Sequence, residues 1–372
     1  MPVRDIFDKP FDEGTVVKLE IFQKYFEEWL PTFVMGSYSK AIQVFDLFAG
    51  SGYDEDGVPG STIRILEVIN RHRANLAQKN KQVFLFLNDA DRGKVELLKT
   101  NVENKMAELS LDSLVVPRFS SQDFRECLLT TYAKELVSGS NLIFIDQNGF
   151  KQVDEKVFGF LVNLETTEFM FFVSSSFIHR FAKRPEVKKY HPKFDAARIV
   201  SVSRKKVHNV ICEEFEKYVP SNITSYALLP FSIMKSDKNN VYGLIFVSKH
   251  PRGADKFLQT VWKENAINGN ANFDIEEESK KAQLDLFDGR ILTKIESFQK
   301  ELRQKILNGE IANNIQAFYF TLNHGHIGQH ASEEIKRMKK EGLIAFDSPS
   351  PLVTYDKVEK ERRVLEYKLV KK

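Results

Sequence analysis

A Rossmann-like α/β domain followed by a small winged-helix-like domain is the fold class predicted here, and three observations predict it. Short apolar runs alternate with amphipathic stretches between residues 43 and 173. The runs are nearly continuous in Val, Leu, Ile and Phe, as in strands buried on both faces of a parallel sheet. The rhythm then changes. Two further runs, residues 224–230 and 242–248, flank a polar turn at 236–240 and read as an antiparallel hairpin.

The elements follow in order. Residues 15–33 predict a helix: Val17, Ile21, Tyr25 and Trp29 recur at helical spacing, with Lys18, Glu20, Glu27 and Glu28 between them. Strands are expected at 43–48, 83–87, 114–117, 142–146 and 169–173. Helices are expected at 61–77, 92–109, 124–137 and 156–166. Repeated strand–helix units imply right-handed crossovers and a doubly wound sheet. The polar, acidic residues 274–283 end the first domain, and 288–306 read as a connecting helix with Asp288 as its N-cap. Beyond it come helices at 315–322 and 331–341, the second with Ile335 and Met338 inward and Gly342 as its C-cap. Short strands at 343–346, 352–355 and 363–370 complete a winged-helix-like pattern. The organisation expected is residues 1–270, a linker and connecting helix at 271–314, and a last domain at 315–372.

Composition narrows the function classes. Hydrophobic residues make up 42% and charged residues 28%, and Phe occurs 31 times, which fits a soluble protein with an aromatic core. No run of 18 apolar residues suggests a membrane span, and the start carries no apolar signal core. The two cysteines, Cys127 and Cys212, read as free thiols of a reducing cytoplasm. His179, His250, His324, His326 and His330 lack a metal-ligand spacing, so no metal is expected. Net charge is only +3, but residues 180–208 hold ten Lys/Arg against two Asp/Glu, a local +8. Lys183, Arg184, Lys188, Lys189, Arg204, Lys205 and Lys206 are therefore candidates for phosphate contact. The competing reading is a solvated helix face and its loop.

The motif with the most chemical content is Asp46-Leu47-Phe48-Ala49-Gly50-Ser51-Gly52. A buried strand ends in an acid, and two glycines let the backbone bend and approach a ligand. Ligands bind at such strand ends in open α/β sheets. A dinucleotide fingerprint needs a small residue three places after the second glycine, where this chain has Glu55, which would repel a pyrophosphate. S-adenosylmethionine has no phosphate, and five parallel strands closed by a hairpin is the methyltransferase arrangement. Asp46 suits its amino group, and Phe48, Gly50 and Gly52 border its methionine and ribose. At the second strand end Asp89 or Asn88 would accept from the ribose hydroxyls, and Asp89 or Asp91 would cap the next helix. At the third, Asp123 would accept from the adenine amino group with Phe124 beside it, or cap a helix. At the fourth, Phe144-Ile145-Asp146-Gln147-Asn148-Gly149-Phe150 lies where a methyl acceptor sits. Asp146 and Phe150 are the catalytic candidates, with Phe177 as another cover for the acceptor. Amino-methylating enzymes carry Asp/Asn-Pro-Pro-aromatic here, and this chain has Gln147 for the first proline.

The chain resembles the three-Cys-motif partner family, TcmP, whose members are similar to class I methyltransferases. The resemblance rests on Lys18-Leu19-Glu20 with Tyr25 and Trp29-Leu30-Pro31, the 46–52 motif, Gly60-Ser61, residues 144–149, and His250-Pro251 with Gly253 and Trp262. It implies an S-adenosylmethionine-type cofactor site. The family's name implies work beside a separate three-cysteine, radical-S-adenosylmethionine-like protein. The family's Asp-Pro is Asp146-Gln147 here, and Asn88 precedes Asp89 at the second strand end.

Two functions are expected to compete. One is methyl transfer to nucleic acid, with the last domain reading it through Lys336, Arg337 and Lys340. The other is a partner or scaffold protein in a complex, for example of a phage-defence or mobile-element system, with that helix used for protein docking. A nicotinamide oxidoreductase is disfavoured by Glu55.

Overall fold

The computed structural model describes residues 9–36, 40–235, 240–281 and 291–370. The first helix, α1 (Glu13–Met35), begins where the Asp12 side chain accepts from Thr15 N–H. It buries a continuous face of Phe22, Tyr25, Phe26 and Trp29. Lys18 lies on this buried face rather than among the outward charges.

Strands β1 (Ile42–Asp46), β2 (Val83–Asn88), β3 (Val115–Ser120), β4 (Ser140–Ile145) and β5 (Thr167–Val173) are parallel. The hairpin β6 (Ala227–Met234) and β7 (Val241–Ser248) joins antiparallel through β7, giving the order β3-β2-β1-β4-β5-β7-β6. This is the Rossmann-like arrangement of class I methyltransferase domains. All five residues of β1 are buried, as a central strand covered on both faces requires. Register places Asp46 beside Leu87 of β2 and Phe144 of β4, so the turns that follow these strands share one end of the sheet. Of the turn expected at 236–240, residues 236–239 lie outside the described residues.

The helices between strands are α2 (Ser61–Arg71), α3 (Arg73–Gln78), α4 (Arg92–Leu109), α5 (Phe124–Glu126), α6 (Ala133–Ser138) and α7 (Glu155–Asn163). Two expected helices are broken. The 61–77 segment splits at His72. The 124–137 segment takes a π-helical turn over Cys127–Thr131, where Tyr132 N–H reaches back to the Cys127 carbonyl and buries Cys127 and Leu128. The basic stretch between β5 and β6 forms short helices α8 (Ser175–Phe181), α9 (Pro185–Tyr190), α10 (Ala196–Ser201) and α11 (Val207–Phe215). Sequence periodicity missed them because most are under two turns long.

The chain divides into two units, Met1–Lys249 and His250–Lys372. The second begins with α12 (Pro251–Glu264), upstream of the 270/271 boundary read from composition. Then come α13 (Glu278–Lys281), α14 (Lys294–Leu307), α15 (Asn314–Asn323) and α16 (Gly328–Lys340). Thr293 and Glu296 form a reciprocal capping box that starts α14; Asp288, the expected cap, lies outside the described residues. Ile335 and Met338 of α16 point inward, as expected. The strands that follow are shorter than expected, β8 (Ile344–Ala345) pairing with β9 (Lys368–Leu369). Residues 352–355 form no strand. Leu352 takes a left-handed backbone, φ +59°. The buried Asn314 amide donates to the Leu352 and Arg363 carbonyls, and its carbonyl accepts from Leu365 N–H. One side chain thus supplies bonds that a neighbouring strand would otherwise make.

Candidate cofactor and acceptor site

The turn after β1 carries Gly50 at φ +60° and Gly52 at φ +92°, conformations that favour glycine. A Cβ on Gly52 would also lie 3.2 Å from Leu98 Cδ1. The turn is fixed to its neighbours: Ala49 N–H donates to the Asn88 carbonyl at 3.0 Å, and Gly60 N–H to the Gly52 carbonyl at 2.8 Å.

Asn88 and Asp89 take different tasks. Asn88 is buried; its amide donates to the Leu47 and Gln122 carbonyls and its oxygen accepts from Gln122 N–H. It ties the ends of β1, β2 and β3 together. Asp89 is half-buried, and one oxygen accepts from Gly50 N–H at 3.2 Å, the other from Asp91 N–H at 2.9 Å. Burial raises its pKa. Asp89 is thus the acid that borders the glycine turn, while Asp91 caps α4 through Gly93 and Lys94 N–H.

Asp123 is exposed and caps the turn at Phe124 by accepting from Arg125 N–H. Phe124 is buried and stacks on Phe48 with centroids 5.2 Å apart, joining the turns after β1 and β3.

Asp46 sits deeper than the sequence suggests. It is fully buried, and one carboxylate oxygen accepts from Ser61 Oγ at 2.5 Å and Thr62 Oγ1 at 3.0 Å at the start of α2. The other oxygen, Oδ1, is buried and has no side-chain partner, and the Phe48 N–H acts on the carboxylate to lower its pKa. Burial raises the Asp46 pKa to about 6 against the lowering effect of Ser61 and Thr62, and the Asp146 charge raises it further. With Asp146 paired to Lys18, the net negative charge behind the glycine turn is that of Asp46. A buried acid at that place fits a cationic ligand, and S-adenosylmethionine brings a sulfonium and an ammonium.

Asp146 is engaged by Lys18, whose Nζ lies 2.5 and 2.6 Å from its two oxygens. Lys18 Nζ also stands 4.5 Å from the centre of the Phe172 ring. Gln147, at the position of the missing proline, is buried; it donates to the Phe172 carbonyl and accepts from Gln152 N–H. It fixes the loop to β5 without proline. Phe150 is buried and stacks on Phe177 at 5.2 Å, and its carbonyl accepts from His191 Nε2 at 2.8 Å. Phe150 thus packs into the inserted helices, and Phe177 is the more exposed ring of the pair.

The basic candidates Lys183, Arg184, Lys188, Lys189, Arg204, Lys205 and Lys206 are exposed on the inserted segment. Lys336, Arg337 and Lys340 are exposed on α16 of the second unit. Among the described residues no group of His, Cys, Asp and Glu could hold a metal ion, and no helix is long and apolar enough to cross a membrane. Lys18 is the site residue that the periodicity argument missed. It precedes Phe22 by four and Tyr25 by seven, which is the signal that places it on the buried face.

Together the strand order and the turns at one sheet end define a class I methyltransferase-like domain. Among solved structures, the chain is similar to the methyltransferase domain of a bacterial protein, CtHen1-C, at 12% identity and TM-score 0.32, covering 61% of this chain and 98% of that one. It is also similar to a human methyltransferase 10 domain containing protein, at 7% identity and TM-score 0.29, covering 62% of this chain and 83% of that one. Both likenesses are remote, and the fold class rests on the strand order and register. No family model and no curated protein matches the chain.

Proposed function

We propose that this protein is an S-adenosylmethionine-dependent methyltransferase that acts on nucleic acid within a complex. The observation that carries the reading is the Gly50–Asp89 contact, which joins the glycine turn of β1 to an acid at the end of β2. That pairing suits a ribose at Asp89, with the Phe48–Phe124 stack bordering the adenine side and Asp123 next to it. Asp46 supplies negative charge for the sulfonium or ammonium, while the charge of Asp146 is balanced by Lys18. The cofactor supplies an electrophilic methyl group; the chain's own residues bind it, orient it and keep the acceptor beside it. The +8 charge of residues 180–208 supports a polyanionic acceptor. Calorimetry with S-adenosylmethionine and S-adenosylhomocysteine, followed by methyl transfer to mixed DNA, RNA and protein, tests the proposal. Silence at millimolar ligand overturns it.

A second reading has its own support. Both oxygens of Asp146 are held by Lys18, so an amine acceptor would have to displace a buried ammonium. This favours a cofactor-binding partner or scaffold of a three-Cys-motif, radical-S-adenosylmethionine-like protein, in a phage-defence or mobile-element setting. Cofactor binding without turnover on any acceptor, together with co-purification of such a partner, would select it.

A further inference from the structure

The helices inserted between β5 and β6 border an open cleft of about 430 Å³ lined by His179, Arg180, Phe181, Lys183, Arg184 and Arg204, together with Ser176 and Val200. That volume lies in the range of small-ligand sites. Four of its lining residues are cationic and none is acidic. An aromatic ladder runs from the loop after β4 to this cleft. Phe150 stacks on Phe177 at 5.2 Å, Phe177 meets Phe181 at 4.7 Å, and the Arg184 guanidinium covers Phe181 at 4.5 Å. Phe177 is 41% exposed and Val200 43%, so apolar surface is left open among the cations.

Cations alone would suit any polyanion. An exposed ring, Phe177, beside cations is different, because duplex bases are stacked inside and cannot reach a ring. A single strand presents both a phosphate and a free base face, and aromatic–basic grooves bind it through both. We infer that this cleft binds single-stranded nucleic acid, with a base against Phe177, which Phe181 backs, and the flanking phosphates on Arg180, Lys183, Arg184 and Arg204. The ladder's other end is the buried Phe150, four residues after Asp146, so packed rings tie the cleft wall to the acceptor loop. The inference rests on the nucleic-acid part of the proposed function and names its substrate as unpaired strand.

The test is fluorescence anisotropy of the full chain with a labelled 12-nucleotide single strand, as DNA and as RNA, and with the corresponding duplex. Wild type should prefer the single strand at least about tenfold. Phe177→Ala/Phe181→Ala should lower single-strand affinity roughly tenfold or more and leave duplex affinity unchanged. Phe181→Leu keeps apolar packing while removing the ring and should show a loss in the same direction, which separates stacking from misfolding. Lys183→Ala/Arg184→Ala should make the log-affinity against log-salt slope shallower by about 1.4, two phosphates at about 0.7 each. Equal affinity for strand and duplex, or Phe variants that bind the strand like wild type, would overturn the inference. Calorimetry with S-adenosylmethionine is run on the same samples. Strand binding without cofactor binding keeps the cleft and sinks the methyltransferase reading; cofactor binding without strand binding does the reverse.

Discussion

Lys18 of α1 reaches across to Asp146 at the end of β4 and meets both carboxylate oxygens, at 2.5 and 2.6 Å, with both side chains nearly excluded from solvent. The pair lies 128 residues apart in sequence and fastens the first helix to the acceptor loop. It is also the reason that Asp146 is not a free acceptor for a substrate amine.

Breaking one half of a buried pair strands the other charge, which costs roughly 3–5 kcal/mol, whereas replacing both can be neutral. Lys18→Met and Asp146→Leu alone should each destabilise the protein on that scale, and the double variant should recover most of the loss. Urea unfolding of the four proteins measures it. Additive losses would mean that the two charges do not act as a pair.

Asn88 and Asp89 are adjacent, yet their variants should separate cleanly. Asn88→Ala leaves three backbone groups, the Leu47 carbonyl and the Gln122 carbonyl and N–H, without their partner and should cost about 1–3 kcal/mol of stability per buried orphaned group. Asp89→Asn keeps the shape and a hydrogen-bond acceptor but loses the charge. Its one amide oxygen can still accept from Gly50 N–H, and the Asp91 N–H that loses its partner is open to water, so the melting temperature should fall only slightly while S-adenosylmethionine binding weakens roughly ten- to hundredfold. Thermal melts beside calorimetry decide the point. Unchanged affinity in Asp89→Asn would remove it from the cofactor site.

The central parallel strands were legible because each carries a continuous apolar run, β3 less so because Arg118 and Ser120 interrupt it, and the glycine turn because Gly50 and Gly52 follow an acid. Which neighbour does what was not legible: Asn88 against Asp89, and Asp91 as the cap, depend on where the β1 and β3 turns come to lie. Lys18 was misplaced because charge was weighed above spacing from Phe22 and Tyr25. Phe150 was assigned to the acceptor from its place in the motif, whereas the inserted helices, too short to show periodicity, supply the rings and His191 that bury it. The strand expected at 352–355 gave way to Asn314, a long-range partner that no local pattern reveals.

Asp46 gives a pH signature. Burial holds its pKa near 6, above the ordinary 3.8, so between these values the folded protein carries a proton that the unfolded chain has released. Its stabilising contribution is present below about pH 4 and is lost as pH rises through about 6. A cationic ligand beside Asp46 favours the ionised form, so binding should expel a proton near pH 6 and tighten as pH rises from 5 to 7. S-adenosylmethionine has a sulfonium that S-adenosylhomocysteine lacks and should show the steeper dependence. Calorimetry in buffers of different ionisation enthalpy reads the released proton, and Asp46→Asn should abolish it. A wild-type affinity flat across this range would separate Asp46 from the ligand.

The last prediction concerns α16, whose cations made it a candidate nucleic-acid reader. Arg337 pairs with the buried Glu334, which Arg303 also holds. Lys339 donates to the Phe346 and Ser348 carbonyls. Two of the helix's four cations are therefore committed inside the second unit, and Glu333 adds an exposed negative charge. Lys336 and Lys340 are too little charge to hold a duplex groove, where each phosphate contact contributes a salt slope of about 0.9. Lys336→Ala/Lys340→Ala in the full chain should leave both duplex affinity and its salt slope unchanged, which takes this face out of duplex recognition. Arg337 is kept intact because its removal would disturb Glu334 and confound the comparison. A slope shallower by about 1.8, two contacts' worth, would instead make the helix a phosphate reader.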